Sequence, residues 1–355
     1  MEKELPPILY LSEDNVKLVI ESSGLTFKNF IEIIEEEFKA ISAGDFQIYP
    51  HDKLIDMTPG LKEKIPEAPP QTSVCLPILS YYGPAKMAAV KWVTYSPERV
   101  KRGLPFQGHL LILTDAFLCS PVAIIQGLFL TGIRTACVTA IGAKYGAKRN
   151  SNIIALIGAG YQGGFQLLAL NEILKIEEIR VYDIKKGARE RTVEGIGKKI
   201  GKHIIPCDSL EKAVSDADVV ITATTAKQPI IKYEWVKKAS FLCNFSHDQN
   251  FEDQIVKTVD KIFVDYKKNY EHYRGQEVGS LIARNLMSIM DIYADLSELV
   301  TGRKKGRESD EEKILLNHGG MGTHDIAVGS VIYKLAIEKG IGMWCKSKIP
   351  PFAWE

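Results

Sequence analysis

The sequence predicts an α/β protein in which a doubly wound parallel sheet is joined to a second domain of the α+β type. Two observations predict this fold class. From residue 151 to about residue 266, strand-like apolar runs alternate with helical segments, as they do in parallel sheets. The first 130 residues instead combine one amphipathic helix with several short strand-like runs. We therefore expect one domain over residues 131–319 and another over residues 1–130, completed by residues from about 320 to 355.

The elements of the parallel domain follow one another regularly. Apolar runs of strand length occur at residues 152–157, 178–183, 203–206, 217–225, 239–246 and 261–265. Helical segments occupy residues 165–174, a charge-rich stretch up to Ile200, and residues 209–215, where Ser209 is a suitable N-cap. This order predicts parallel strands whose connecting helices cover the sheet.

The other domain begins with an amphipathic helix at residues 27–41. Strand-like runs follow at residues 74–79, 88–94, 109–114 and 121–125, and a helix over residues 128–144 is expected to lead into the parallel domain. A last helix, at residues 323–339 with Thr323 as its N-cap, is expected to return to the first domain.

Composition excludes several classes of protein. The net charge is +1, so no field favours nucleic acid or an anionic membrane. The basic run at residues 303–307 precedes several acidic residues and is predicted to be a solvated loop. Residues 116–133 carry no charge, but Pro121 and Gly127 divide them into a buried strand and the start of a helix rather than a membrane span.

The cysteines and histidines indicate the compartment and the absence of a metal. The six cysteines form no CxxC pair, which favours a reducing environment and a cytoplasmic protein. The seven histidines form no set with metal-ligand spacing, so no metal site is expected.

A complete GxGxxG motif lies between the first predicted strand of the parallel domain and the next helix. Its residues are Gly158, Ala159, Gly160, Tyr161, Gln162 and Gly163. In a Rossmann-type domain the first glycine permits the tight turn and the second admits a pyrophosphate. The third permits close packing of helix on strand, while the helix N-terminus offers N–H donors to phosphate. The motif in this context predicts a dinucleotide site.

Asp183 ends the second predicted strand, 23 positions after Gly160. A carboxylate there accepts hydrogen bonds from the adenosine ribose and repels a 2′-phosphate, which favours NAD over NADP. Lys185 and Lys186 lie nearby and weaken that discrimination.

Four further polar residues stand out. Lys91 lies in an apolar strand-like run and Arg134 in an apolar helical segment; each binds an anion or belongs to a structural ion pair. Asp248 follows the fifth predicted strand of the parallel domain, at the edge where such sheets bind ligands. It is a candidate general base, or merely a loop cap, and His247 beside it is a rival proton carrier.

Together these segments resemble the ornithine cyclodeaminase/mu-crystallin family from about residue 10 to residue 342. The shared segments are VKWV (90–93), RGLPFQG (102–108), IRTACVTAIGAKY (133–145), LIGAGYQG (156–163), VYD (181–183), DADVVITATT (216–225), VD (264–265) and GMGTHDIAVG (320–329). The likeness is greatest to the branch of dehydrogenases that form 2,3-diaminopropionate from N-(2-amino-2-carboxyethyl)-glutamate. Segments 213–224, 228–241, 298–302 and 314–317 carry it.

The resemblance implies roles for individual residues. Lys91 would bind the substrate carboxylate and polarise the reacting imine, and Arg134 would contact the cofactor phosphates or the substrate. Three more residues would lie against NAD: Thr224, Asn244 and His318. The family also has an aspartate near position 248 that acts as general acid and base. A homodimer formed through the first domain is implied as well, since its strands need a partner.

The sequence also departs from the family pattern. Ser246, His247 and Asp248 replace a Gly-Gly-Asp segment, and the Pro-Gly-Lys that follows it in the family is missing. An N-terminal arginine that holds the substrate carboxylate is absent, so Lys53 or His51 would substitute for it.

The expected function is that of an NAD-dependent amino-acid dehydrogenase that works through an imine, which would connect it with siderophore or antibiotic biosynthesis. The alternatives are a cyclodeaminase-type lyase that recycles NAD, a ketimine reductase or alanine dehydrogenase, and a non-enzymatic crystallin-like binding protein.

Overall fold

The computed structural model describes residues 5–49, 54–59, 63 and 73–346. The chain divides into two compact units. The first unit comprises Met1–Thr26, Gly44–Thr131 and Met321–Glu355, and the second comprises Phe27–Ala43 and Gly132–Gly320. Within the described residues, no helix is long and apolar enough to cross a membrane.

The first unit is built on a mixed sheet. Its elements are β1 (Ile8–Leu11), α1 (Glu13–Ser23), β2 (Phe46–Ile48), β3 (Ile55–Asp56), β4 (Val74–Tyr82), β5 (Met87–Tyr95), α3 (Pro97–Lys101), β6 (Gln107–Asp115), β7 (Ser120–Gln126), α11 (Gly322–Lys339) and β16 (Met343–Cys345). The strand order is β16-β1-β7-β6-β5-β4-β2, and β3 also pairs with β4. Strands β2 to β7 pair in antiparallel fashion, whereas β1 runs parallel to β7.

Helix α11 packs on β4, β5 and β6, as the predicted return of the last helix requires. The predicted cap was wrong, because the helix begins at Gly322 and Met321 is its N-cap. Thr323 lies in the first turn, where it is fully buried. Gly322 itself packs closely, since a Cβ there would lie 2.4 Å from Ser80 Oγ.

The second unit is built on a sheet in which every pair of neighbouring strands is parallel. Its strands are β8 (Ile153–Ile157), β9 (Glu178–Tyr182), β10 (Ile204–Pro206), β11 (Val219–Thr222), β12 (Phe241–Asn244), β13 (Lys261–Val264), β14 (Ala294–Asp295) and β15 (Ile314–Asn317). Their order is β10-β9-β8-β11-β12-β15-β13-β14. The strands added after β8 first extend the sheet on one side and then, from β11, on the other. This reversal is the topological switch point at which doubly wound sheets bind ligands.

The α-helices of the second unit are α2 (Phe27–Ala43), α5 (Tyr161–Ile173), α6 (Lys186–Ile200), α7 (Leu210–Val214), α8 (Asp253–Val256), α9 (Gln276–Ala283) and α10 (Leu296–Val300). Helix α4 (Leu128–Gly146) starts in residues of the first unit and continues in the second. The predicted cap of α7 is confirmed, because Ser209 Oγ accepts a hydrogen bond from the Lys212 N–H.

One segment falls outside its predicted domain. The amphipathic helix at residues 27–41 was assigned to the first domain, but the corresponding α2 belongs to the second unit. Its contacts explain the difference. The ring of Phe27 lies 6.4 Å from that of Phe165 on α5, and Lys144 Nζ contacts Glu35 Oε1 at 2.6 Å. An apolar stripe predicts that a helix is packed, but not which neighbour it packs against.

Candidate functional site

The glycine loop after β8 has the close approaches that its motif predicts. Gly158 has a φ of 103°, and a Cβ there would lie 2.3 Å from the carbonyl oxygen of Ala223. A Cβ on Gly163 would lie 2.5 Å from the carbonyl oxygen of Gly158. Any larger residue at either position would push the turn away from β11 or from the start of α5.

Gly160 is different, because a Cβ there would meet no atom within 4 Å. It is the N-cap of α5 and supplies no side-chain hydrogen bond to the first turn. Tyr161 is largely exposed beside it, while Oε1 of Gln162 is buried without a hydrogen-bond partner among the described residues. Open space in front of an uncapped helix N-terminus fits a pyrophosphate.

Asp183 directly follows β9 and lies against this loop. Its Oδ2 accepts a hydrogen bond from Ala159 N at 2.9 Å, and its Oδ1 accepts one from Lys185 N at 2.8 Å. The carboxylate is half-buried and next to the glycine turn, as a ribose acceptor must be. Of the two nearby lysines, Lys186 extends along its own helix to Glu190, at 3.6 Å.

The carboxyl ends of β11 and β12 are joined by polar contacts. Thr224 N donates to Ser246 Oγ at 3.0 Å, and Thr224 Oγ1 donates to Asn250 Oδ1 at 2.7 Å. Asn244 was predicted to lie against the cofactor, but its side chain is fully buried and makes other contacts. Its Nδ2 donates to the Glu277 carboxylate at 3.0 Å, and its Oδ1 accepts from Ser246 N. The Asn244 amide is thus held within the unit, and its contact with the cofactor stays a prediction.

Glu277 is the residue that sequence reasoning missed. It is fully buried on α9 and accepts hydrogen bonds from Asn250 N, Phe251 N, Asn244 Nδ2 and Asn317 Nδ2 at distances of 2.7–3.0 Å. Burial raises the pKa of this carboxyl, while these four donors oppose the shift. The network holds the ends of β12 and β15 and the loop after β12 together. Its one signal in the sequence was an acidic residue within an apolar helical segment.

The two proton-carrier candidates lie in that loop. Asp248 Oδ2 forms an ion pair with Lys227 Nζ at 2.9 Å, and the lysine side chain is 76% exposed. His247 is exposed, and its Nδ1 lies 3.1 Å from the hydroxyl oxygen of Tyr273.

His318 and Arg134 are both buried in the second unit. His318 Nε2 lies 2.9 Å from Thr139 Oγ1, and the ring stacks on Phe245. The next two backbone N–H groups, of Gly319 and Gly320, donate to Asp265 Oδ2. Gly320 has a φ of 81°, and a Cβ there would lie 1.9 Å from Arg134 Nη1. The arginine therefore packs directly on a glycine turn, and any side chain at position 320 would displace it.

Lys91 lies on the face of the first sheet that α11 covers. It is 2% exposed, and its Nζ donates to Asp325 Oδ1 on α11 and to Thr131 Oγ1, both at 2.8 Å. The Thr131 hydroxyl donates to Gly127 O at 2.7 Å, so it accepts from Lys91 and from Nδ1 of His109, at 2.8 Å. The predicted anionic environment of Lys91 thus includes a carboxylate of the protein itself.

Two predicted positions cannot be placed. Lys53 and His51, the substitutes for an arginine in binding the substrate carboxylate, lie outside the described residues. Among the described residues, no group of three or more His, Cys, Asp or Glu side chains is arranged to hold a metal ion.

The fold and the glycine loop define a Rossmann-type dinucleotide-binding protein. The chain belongs to the ornithine cyclodeaminase/mu-crystallin family, which it matches over residues 15–340. It is 32% identical to an alanine dehydrogenase of Archaeoglobus fulgidus over 72% of this chain and 79% of that one. It is also 32% identical to N-((2S)-2-amino-2-carboxyethyl)-L-glutamate dehydrogenase of Staphylococcus aureus, over 73% and 78%. These equal identities do not separate the diaminopropionate branch from the others.

Solved structures agree with the fold. Thermococcus litoralis Δ1-pyrroline-2-carboxylate reductase, in complex with NADH and L-proline, has a TM-score of 0.85 at 28% identity. The comparison covers 95% of this chain and 99% of that one. An archaeal alanine dehydrogenase dimer with bound NAD has a TM-score of 0.82 at 27% identity, over 98% and 100%. The NAD cofactor predicted from the glycine loop and Asp183 is confirmed by these relatives.

Proposed function

We propose that this chain is an NAD-dependent oxidoreductase that breaks or makes a C–N bond of a small amino acid through an imine. The observation that carries the proposal is the buried Lys91 ammonium, which donates hydrogen bonds to Asp325 and Thr131, both at 2.8 Å. The same chain has a dinucleotide loop with open space at Gly160. Burying a lysine is unfavourable unless it is paired, and a pre-positioned cation suits a carboxylate substrate.

Residues of the second unit would bind the cofactor. The uncapped N-terminus of α5 would take the pyrophosphate and Asp183 the adenosine ribose. Thr224, Asn244, His318 and Arg134 are proposed to contribute further contacts to the cofactor, and Arg134 alternatively to the substrate. When bound, NAD accepts the hydride that leaves the α-carbon of the substrate.

Residues of the chain would perform the remaining steps. Lys91 would bind the substrate carboxylate and favour electron withdrawal at the neighbouring carbon. A water oxygen then bonds to the imine carbon, the C–N bond breaks, and a carbonyl compound and an amine are released. A proton carrier must take one proton from that water and deliver one to the leaving nitrogen. Asp248 and His247 are the candidates from sequence.

The first candidate substrate is N-(2-amino-2-carboxyethyl)-L-glutamate, which is supported by the motif likeness and by the Staphylococcus aureus relative. Alanine dehydrogenase is the second candidate, because the archaeal relative is equally similar. A cyclodeaminase-type lyase is less consistent with the missing Pro-Gly-Lys segment.

We also propose that the chain forms a homodimer through the first unit. The face of the first sheet opposite α11 carries an apolar row of Leu79, Val90, Ile112 and Ile124, in register across β4 to β7. Leu79 is 47% exposed and the neighbouring Trp92 is 39% exposed. Such a patch on a soluble protein is typical of an interface. Light scattering at micromolar concentration tests this, and a monomeric mass would contradict it.

The activity is tested by following nicotinamide absorbance with a panel of substrates. N-(2-amino-2-carboxyethyl)-L-glutamate, L-alanine and L-proline are supplied with NAD, and pyrroline-2-carboxylate or pyruvate plus ammonium with NADH. We expect net conversion of the nicotinamide with at least one of them. A cyclodeaminase would instead consume ornithine without accumulating NADH, and cofactor binding without turnover of any compound would indicate a binding protein.

A further inference from the structure

We propose that His247, positioned by Tyr273, is the proton carrier of the reaction, and that Asp248 is not. This inference rests on the proposed function and names one residue of its site. It stands on the geometry of three segments of the second unit: the loop after β12, the loop after β11, and the turn that precedes α9.

The strand order determines which half of the cofactor these segments face. Asp183 follows β9, on one side of the switch point, whereas β11 and β12 lie on the other side of β8. A dinucleotide that crosses the switch point with its adenosine ribose at β9 extends its nicotinamide over the ends of β11 and β12. His247 lies three positions after the end of β12, at that edge of the sheet.

The Asp248 carboxylate already has a partner. Its Oδ2 contacts Lys227 Nζ at 2.9 Å, and its main-chain carbonyl oxygen accepts from the side chains of Asn244 and Asn250. The Lys227 ammonium therefore already occupies one oxygen of this carboxylate. Its loop position is also fixed by the network around Glu277 rather than by a ligand.

The backbone around His247 is built to bring Tyr273 against it. A Cβ on Gly275 would lie 2.5 Å from both Tyr273 Oη and His247 O. Gln276 has a φ of 54° and donates its backbone N–H to His247 O at 3.1 Å. The lack of a side chain at Gly275 and the positive φ of Gln276 thus hold the turn before α9 on the histidine.

We assign one tautomer of the imidazole from the hydrogen bonds around it. The Tyr273 hydroxyl donates its single proton to His247 O at 3.2 Å. With that proton assigned to His247 O, Tyr273 Oη accepts from Nδ1–H of His247, which lies 3.1 Å away. In the neutral ring this leaves Nε2 as the acceptor, and it has no hydrogen-bond partner among the described residues. An exposed imidazole with Nδ1–H held and Nε2 open is arranged to accept a proton.

The charges around the ring fit this role at neutral pH. Desolvation of the ring by the surrounding protein lowers the pKa of His247 by disfavouring the imidazolium; Asp248 raises this pKa and Lys227 lowers it. Tyr273 also contacts the ring. Arg274, the next residue in the chain, has its guanidinium bonded to the carbonyl oxygens of Tyr270, Glu271 and Tyr273. The neutral ring is therefore the resting form.

The proton balance is complete without another reactant. As the water oxygen bonds to the imine carbon, Nε2 of neutral His247 takes one proton from that water. The imidazolium then gives this proton to the nitrogen as the C–N bond breaks. The remaining hydroxyl proton leaves to solvent, and the carbonyl forms. Hydride transfer itself needs no proton from His247.

The test compares four variants of the full-length chain on whichever substrate of the panel is turned over. His247→Asn should lower kcat/KM at least about 100-fold and abolish the acidic limb of its pH profile. Tyr273→Phe removes the acceptor that stabilises the imidazolium, so it should lower kcat/KM about 3–10-fold and move the acidic limb to lower pH. Asp248→Asn should lower kcat/KM less than about tenfold and keep the limb. His272→Asn is the matched control, since His272 is exposed and only its backbone is bonded.

Opposite results overturn the proposal. If Asp248→Asn abolishes the acidic limb while His247→Asn keeps both rate and limb, the carrier is Asp248. A second measurement does not depend on turnover: NMR of the histidine rings should show His247, and not His272, shifting when NAD is added. An unshifted His247 would contradict the inference. A shifted His247 with no turnover of any panel compound would support its position and reject the proposed function.

Discussion

Two lysine–carboxylate pairs in this protein have nearly equal lengths and very different surroundings. Lys91 Nζ lies 2.8 Å from Asp325 Oδ1, with side chains 2% and 4% exposed. Lys227 Nζ lies 2.9 Å from Asp248 Oδ2, with side chains 76% and 32% exposed. Distance alone would make them equivalent. Water screens the second pair and is excluded from the first, so only the first imposes a large penalty when one partner is removed.

The largest effect should come from removing the carboxylate of the buried pair. Asp325→Ala removes the carboxylate that pairs with the buried Lys91 ammonium, and we expect a loss of about 3–5 kcal/mol in the free energy of unfolding. Urea denaturation measures it. The double variant Lys91→Met with Asp325→Leu, which replaces the pair by apolar side chains, should recover most of that loss. Equal instability of single and double variants would show that packing, not the unpaired charge, was responsible.

The same pair separates stability from catalysis. Lys91→Met removes the cation, and we expect kcat/KM to fall at least about 100-fold, or about 3 kcal/mol of transition-state stabilisation. It also leaves Asp325 buried without its lysine, so the single variant should have a lower melting temperature than the native chain. The double variant should fold stably and remain inactive. If the double variant were as active as the native chain, Lys91 would be structural only.

Asp183 is half-buried, so its exposure lies between that of the buried Lys91–Asp325 pair and that of the exposed Lys227–Asp248 pair. Asp183→Ala should weaken NAD binding by about 1–3 kcal/mol and reduce discrimination against NADP, because charge-assisted hydrogen bonds to the ribose are lost. Calorimetry with both cofactors measures the change. Unchanged NAD affinity would contradict the ribose assignment.

Asp295, the N-cap of α10, extends the comparison to a carboxyl whose pKa is changed chiefly by burial and not by a lysine. Burial raises its pKa to about 7 from an ordinary value of 3.8, partly opposed by the Lys267 N–H. Since the folded pKa is the higher one, the group stabilises the fold fully at low pH, and this stabilisation is lost as pH rises towards 7. Asp295→Asn keeps a good cap and should remove a slope of up to about 1.4 kcal/mol per pH unit from the unfolding free energy. A native chain with the same slope as the variant would refute this.

The smallest effect should come from the exposed pair. Lys227→Met should change the free energy of unfolding by less than about 1 kcal/mol, and the difference from the native chain should shrink further at high salt. Denaturation at two salt concentrations checks it. A loss as large as that of Asp325→Ala would mean that the loops after β11 and β12 depend on this pair.

Local sequence was enough to predict the elements that depend on neighbours along the chain. The apolar runs predicted the strands from β8 to β13 to within a few residues, because burial on both faces leaves a continuous signal. Gly158, Gly160 and Gly163 could be assigned distinct roles because the turn and the helix that follow them are also local.

What depended on distant residues was decided by the tertiary structure. Lys91 was recognised as anomalous, but its partner Asp325 is 234 positions away. Asn244 was predicted from the family resemblance to lie against the cofactor, but nothing in its own strand reveals Glu277, 33 positions later, which accepts from its amide. The same holds for His247 and Tyr273, which meet only because Gly275 and Gln276 fold the turn before α9 back onto the loop. A periodic pattern reports whether a side chain is buried. Which charge or hydrogen-bond partner it meets there depends on how the strands are ordered in the sheet, and one sequence does not encode that order locally.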